Sequence, residues 1–207
     1  TYSFDMPYSD VAVSVSFKEI GYSISKASTE NGSFLTKDSS SEIDEANFGD
    51  EVTIIVLPST GYEVNVISYN DGTQTYYVPY NNGYIISMPA ADITVSVTFK
   101  KSTYYITKTL SEGGTIQVSD YDLASEYNAE ITLTVTPLSG FKIDHVYYTN
   151  KATSIQTELY YDGVTPGNYI FSIPAADVSV EATFSRQEYE ITTSTVGLGS
   201  YEMWDEN

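Results

Sequence analysis

Residues 88–100 read MPAADITVSVTFK, and this stretch decides the fold. Apolar side chains at Ile93, Val95, Val97 and Phe99 alternate with Thr94, Ser96 and Thr98. A period of two carried by β-branched residues predicts a strand with one buried and one wet face. Pro89 cannot donate to a sheet ladder, so it marks the entry to that strand. Asp92, three residues on, suits an Asx-type turn in which the carboxylate accepts a backbone N–H. The same wording returns at 173–185 as IPAADVSVEATFS, with Pro174 and Asp177 in the equivalent places. A rougher copy at 6–18, MPYSDVAVSVSFK, supplies Pro7 and Asp10.

The repetition extends beyond this strand. Pro7, Pro89 and Pro174 are spaced by 82 and 85 residues, and LPSTGY (57–62) returns as TPLSGF (136–141), 79 residues later. EVTIIV and EITLTV precede those two stretches, and each unit opens with an alternating run that reaches a glycine turn. Residues 20–101 and 102–186 each hold ten acidic and four basic residues. Internal duplication of this kind marks a repeat architecture. The chain is therefore read as the C-terminal part of one repeat (1–19), two whole modules (20–101 and 102–186), and the start of a further repeat (187–207), a piece of a longer array. Short linkers at 100–102 and 185–187 pass the chain from one unit to the next.

Within a module the signals are all β. Val52, Ile54 and Val56, like Ile131, Leu133 and Val135, give further alternating runs, followed by Pro-and-Gly punctuation. The Asp-Gly pairs in YNDG (69–72) and YYDG (160–163) suit tight hairpin turns. No stretch sustains a 3.6-residue period; 40–49 and 122–130 allow a turn or two of helix at most. The fold class is all-β, in tandem small modules of four to six strands with little helix.

Composition narrows the function. With 41% hydrophobic and 18% charged residues the chain is globular rather than disordered. It has no cysteine, which leaves no disulfide framework and no thiolate metal site. No stretch approaches the roughly 18 apolar residues of a membrane-spanning helix, so no membrane insertion is expected of this segment. A net charge of −19 repels phosphate backbones and anionic surfaces, which argues against nucleic acid as a partner.

The glycine turns at Gly113, Gly114 and at Asn31, Gly32, the strands 131–137 and 52–58, the pairs Gly140, Phe141 and Gly61, Tyr62, and the closing stretches 171–184 and 86–99 together resemble the divergent internalin-B-type B-repeats of bacterial surface and secreted proteins. The resemblance spans essentially the whole chain. It implies β-grasp-like or small-sandwich modules in tandem on an extracellular bacterial protein, serving as stalk, spacer or adhesion module, with no catalysis and no cofactor. Partners would be neighbouring repeats and a host or environmental protein or glycan.

Candidate chemistry is sparse. The acids are scattered through turns, and His145 stands without the serine or cysteine of a nucleophilic set. Asp120, Asp122 and Glu126 share one acidic loop, and Asp38, Glu42, Asp44 and Glu45 another, but neither has the spacing or glycine of an EF-hand. Lys26, Lys108 and Lys142 lie in or near strands, where a lysine amide crosslink would need them, yet no motif marks one. The richest surface is tyrosine. Tyr76, Tyr77, Tyr80 and Tyr84 crowd the hairpin region 68–84, and Tyr147, Tyr160 and Tyr161 the region 147–169. Rings beside Asn and Asp can stack on sugar faces or contact a partner protein; equally, strand alternation would send adjacent tyrosines to opposite faces of the sheet.

Overall fold

The computed structural model describes residues 2–192 except 110 and 162, together with 194, 197 and 199. The chain divides into two compact units, Thr1–Ser102 and Thr103–Asn207. Among the described residues there are sixteen strands and no helix.

In the first unit the strands are β1 (Gly21–Lys26), β2 (Gly32–Lys37), β3 (Glu45–Asn47), β4 (Glu51–Pro58), β5 (Tyr62–Asn70), β6 (Thr75–Tyr77), β7 (Tyr84–Ser87) and β8 (Ile93–Lys101). They form a five-stranded sheet in the order β3-β1-β8-β5-β6 and a three-stranded sheet β2-β4-β7. The closing strand β8 is central. It runs parallel to β1 and antiparallel to β5. The inward rows of both sheets meet in one core that includes Ile24, Val52, Ile54, Ile67, Met88, Ile93, Val95 and Val97.

The second unit repeats this plan with β9 (Thr103–Lys108), β10 (Gly114–Val118), β11 (Ala124–Glu126), β12 (Glu130–Pro137), β13 (Phe141–Asn150), β14 (Ile155–Leu159), β15 (Asn168–Ser172) and β16 (Val178–Arg186). Its sheets are β11-β9-β16-β13-β14 and β10-β12-β15, over a core that includes Ile106, Leu133, Val146, Phe171, Ile173, Val178 and Ala182. The all-β reading holds for both units.

The repeated sentence owes its form to packing. Met88 and Ile173, just ahead of the prolines, are each 1% exposed. Their backbones lock onto the turn before β4 or β12: Met88 donates to Asp50 and accepts from Gly49, while Ile173 donates to Ala129 and accepts from Asn128. At the other end, a Cβ on Gly32 would lie 2.6 Å from the Phe99 ring, and one on Gly114 would lie 2.2 Å from that of Phe184. The ring of each closing phenylalanine thus packs against a glycine that opens the three-stranded sheet.

Three local expectations are corrected. The stretches 40–49 and 122–130 form no helix; they contain the short edge strands β3 and β11 instead. Pairing of Ala46 with Tyr22, and of Ser125 with Tyr104, buries both small side chains, an outcome tertiary contacts impose on segments with weak helix propensity. The β13–β14 hairpin turns at residues 151–154, ahead of the YYDG stretch, whose Asp162 lies outside the described residues. Finally, residues 11–17 form no strand. Val13, Val15 and Phe17 are 70, 72 and 95% exposed, because within this chain the segment has neither the β1-like nor the β5-like neighbour between which β8 sits.

Candidate functional site

The first tyrosine-rich hairpin is set by its turn. Asp71 Oδ1 accepts the backbone N–H groups of Thr73 and Gln74 at 2.9 and 2.8 Å, together with the Thr73 hydroxyl at 2.7 Å. These bonds, the hydroxyl's foremost, hold the Asp71 carboxyl down at about 2. The turn fixes the register Tyr69↔Tyr76 and Ser68↔Tyr77 between β5 and β6.

Alternation then separates the tyrosines. Tyr76 lies over Tyr69, centroids 4.9 Å apart and nearly parallel, and Tyr69 packs against the core. The Tyr76 phenol is raised above the ordinary value, chiefly by its hydrogen bond to Asp71. Tyr77 points the other way and is 76% exposed. Beyond it Val78 is buried, donating its N–H to Ile67, so that Pro79 and Tyr80 arch over the sheet. Tyr80 meets Tyr84 edge to face at 5.2 Å. Tyr77, Tyr80 and Tyr84 line one groove of about 560 Å³ together with Val64, Asn65, Val66 and Ile67.

Simple alternation misses Asn65 and Val66. A bulge between Val64 and Val66 leaves Asn65 unmatched and turns Val66 to the outside. The only trace in the sequence is the slip of period in VNVI, where Val66 and Ile67 are adjacent apolar residues.

The second hairpin is different. A bulge again falls between Ile143 and His145, but Tyr147 now points outward and stacks against His145 at 5.7 Å. His145 Nδ1 lies 2.6 Å from Glu158 Oε1. Partial burial, followed by the charges of Glu158 and Glu181, raises the Tyr147 phenol. Tyr148 faces inward, stacked on Phe171 at 4.8 Å. Tyr160 and Tyr161 follow β14 in the connection to β15, 78 and 45% exposed, with Tyr161 bridged to Tyr169. Of the seven candidate tyrosines, then, three share a groove, Tyr76 stands on the opposite sheet face, and three belong to the other module.

The turn residues have structural partners. Asp92 Oδ1 accepts the N–H of Ser23 at 2.7 Å, and Asp177 Oδ1 that of Tyr105 at 2.9 Å. These donors belong to the parallel neighbours β1 and β9, not to the aspartate's own turn. The bond therefore staples the first strand of a module to its last. It also lowers the Asp92 carboxyl below the ordinary range. Pro7 and Asp10 lie in the unpaired N-terminal stretch.

The other candidates show no reactive geometry. Asp120 accepts the Ser125 hydroxyl and the Asp122 N–H, tying its own loop together. Lys26 pairs with Glu42 on an exposed face, where water removes the desolvation that amide crosslinking chemistry needs. Among the described residues, no three His, Cys, Asp or Glu side chains are grouped to hold a metal ion, and no helix is long and apolar enough to cross a membrane.

Two successive units with the same strand order, each closed by its own core, define a tandem array of small all-β repeats. Residues 22–103 and 104–188 both match the family model for the divergent InlB B-repeat domain, and the chain belongs to that family. The family is one of repeat domains typical of bacterial surface proteins and is not known as catalytic. No curated protein and no solved structure matches the chain.

Proposed function

We propose that this chain is a non-catalytic segment of a bacterial cell-surface or secreted protein, acting as a stalk or spacer that also serves adhesion. The observation that carries this reading is the pair of self-contained modules of one design, joined at Ser102. Repeating a closed unit adds reach without requiring a new core each time. Family membership supports the surface location, and the net charge of −19 suits a solvated, exposed polymer. Small-angle scattering of the two-module chain tests the role: an elongated profile is expected, and a compact one would refute a spacer.

A second reading, glycan binding beside a larger secreted enzyme, has one specific observation in its favour. Tyr77, Tyr80 and Tyr84 converge with Asn65 on a single groove. Exposed rings there can stack on a sugar face while the amide bonds its hydroxyls. A glycan array giving binding that disappears on Tyr80→Ala would establish it; a silent array leaves the stalk reading alone.

A further inference from the structure

The two modules repeat one core design, each around its own core, but not the same outer surface, and they differ on the three-stranded sheet. In β4 the residues Glu51, Thr53, Ile55 and Leu57 form one outward row, since Val52 and Ile54 between them are buried. Ile55 and Leu57 are 39 and 52% exposed. Their neighbours on the same face are Leu35, opposite Ile55 in β2, and Ile85, opposite Thr53 in β7 and 42% exposed. Four aliphatic side chains thus make a contiguous strip on an otherwise very acidic molecule. In the second module the places of Leu35, Ile55 and Leu57 are taken by Gln117, Thr134 and Thr136, and only Ile170 remains, at the place of Ile85.

The same outward row continues into an acidic cavity. Glu51 and Thr53 line a hollow of about 500 Å³ whose other acids are Asp38, Glu45 and Asp50, and no Lys or Arg is among its lining residues. Lys37 stands opposite Thr53 but does not line the hollow. Asp38 is held ionised by the N–H groups of Ser41 and Ser40, which lower its carboxyl below the ordinary range. The second module again lacks the feature: Ala124 and Ala129 stand where Glu45 and Asp50 are. Neither the strip nor the extra charge is therefore required by the fold. A module of the same design does without both.

We infer that this face of the first module is a docking surface for a protein segment that sets aliphatic or aromatic side chains on the strip and a lysine or arginine in the adjoining cavity. Charge complementarity selects this occupant. A contiguous exposed apolar patch marks an interaction site, and carboxylates at one end of it favour a cationic side chain over any anionic surface. The carboxylates line a hollow of about 500 Å³, and they are not grouped as metal ligands. A second copy of this chain is a poor occupant, because two molecules of charge −19 repel each other. This inference deepens the adhesive part of the proposed function and stands independently of the tyrosine groove.

The test is to pan a random linear peptide library against the full chain and to measure the recovered peptides by titration. Peptides pairing β-branched or aromatic residues with a nearby lysine or arginine are expected. Their affinity should fall about tenfold in Ile55→Thr/Leu57→Thr and again in Glu45→Ala/Asp50→Ala, the loss usual for central contacts of an interface. All four changes import residues that the second module carries; because Asp50 also accepts the Asn47 N–H, a cooperative melt well above the assay temperature, rather than an unchanged melting temperature, verifies folding. Tyr80→Ala should leave the binding intact. No enrichment, peptides without a basic residue, or affinities indifferent to both double variants would overturn the inference. So would self-association of the wild-type chain that Ile55→Thr/Leu57→Thr abolishes, since the occupant would then be a second copy. None of these results alters the scattering test of the spacer role.

Discussion

Residues 6–18 and 88–100 are nearly the same sentence, yet they end in opposite states. Met88 is 1% exposed and Met6 is 70%; Val95 and Val97 are 0 and 1% exposed, against 70 and 72% for Val13 and Val15. Sequence pattern is equal in the two copies, so pattern is not what buries β8. Its neighbours do that: β1 supplies a parallel ladder on one side and β5 an antiparallel one on the other. An alternating run is a request for two neighbours and a facing sheet, and only the second and third copies have them in this chain.

The largest effect separating the copies is expected from one substitution made at both sites. Met88→Ala removes a fully buried side chain and leaves a cavity beneath the turn before β4, costing about 2–5 kcal/mol. Met6→Ala should cost nothing measurable. Urea denaturation of both variants checks this, and equal costs would end the comparison.

Next is the other end of the strand. Gly32→Ala drives a Cβ into Phe99, and Gly114→Ala drives one into Phe184. Displacing a packed ring costs about 1–3 kcal/mol in each module. Adding Phe99→Leu to Gly32→Ala should recover part of the loss, because a smaller side chain can yield; thermal melts of the single and double variants show whether it does.

A smaller difference follows from the aspartates. Asp92 is lowered in the folded state by the N–H of Ser23. A depressed carboxyl contributes stability that is fully present above the unfolded value of about 4 and is lost as pH falls through the folded value. Asp92→Asn should therefore lower the melting temperature at pH 7 and flatten its decline as pH falls below about 4. Asp10→Asn should change neither. Asp71, held at about 2 by its turn, is untouched in that variant, so some acid dependence should persist.

These contrasts show how much the sequence discloses. The repeat and the closing strand follow from local pattern, since each returns at a fixed offset; the contacts of Gly32 with Phe99 and of Gly114 with Phe184 join residues far apart in the chain and do not. The donor to Asp92 could not be read that way. It lies 69 residues distant, and nothing near Asp92 signals that β1 runs parallel beside β8. The same limit applies to the tyrosines. Alternation correctly sends Tyr76 and Tyr77 to opposite faces, but the meeting of Tyr77 with Tyr80 and Tyr84 depends on the arch at Val78 and the bulge at Asn65. The aliphatic strip was hidden for another reason. Ile55 and Leu57 stand in the apolar run IIVL (54–57), where the outward positions are as apolar as the inward ones. The alternation of Val52, Ile54 and Val56 marks the inward row, but nothing in that pattern shows that the other face stays open to solvent, as it does at Ile55 and Leu57.

The smallest expected effect is also the most direct check on the comparison. Removing residues 2–18 deletes a complete copy of the closing sentence, including Val11, Val13, Val15 and Phe17. Because that stretch forms no strand and belongs to neither core, the melting temperature of the first module should move by less than about 1 °C, within the effect of an ordinary surface change. Glu19 and Ile20 are kept, since they line a hollow beside Tyr22 and Phe48. Calorimetry reads the outcome. A fall of several degrees would mean that the first copy is held against a module after all, and that its burial needs less than the pair of neighbouring strands β8 enjoys. A rise in solubility with an unchanged melting temperature would fit the opposite view, that four exposed apolar side chains on an unpaired strand sequence are a liability until neighbours cover them.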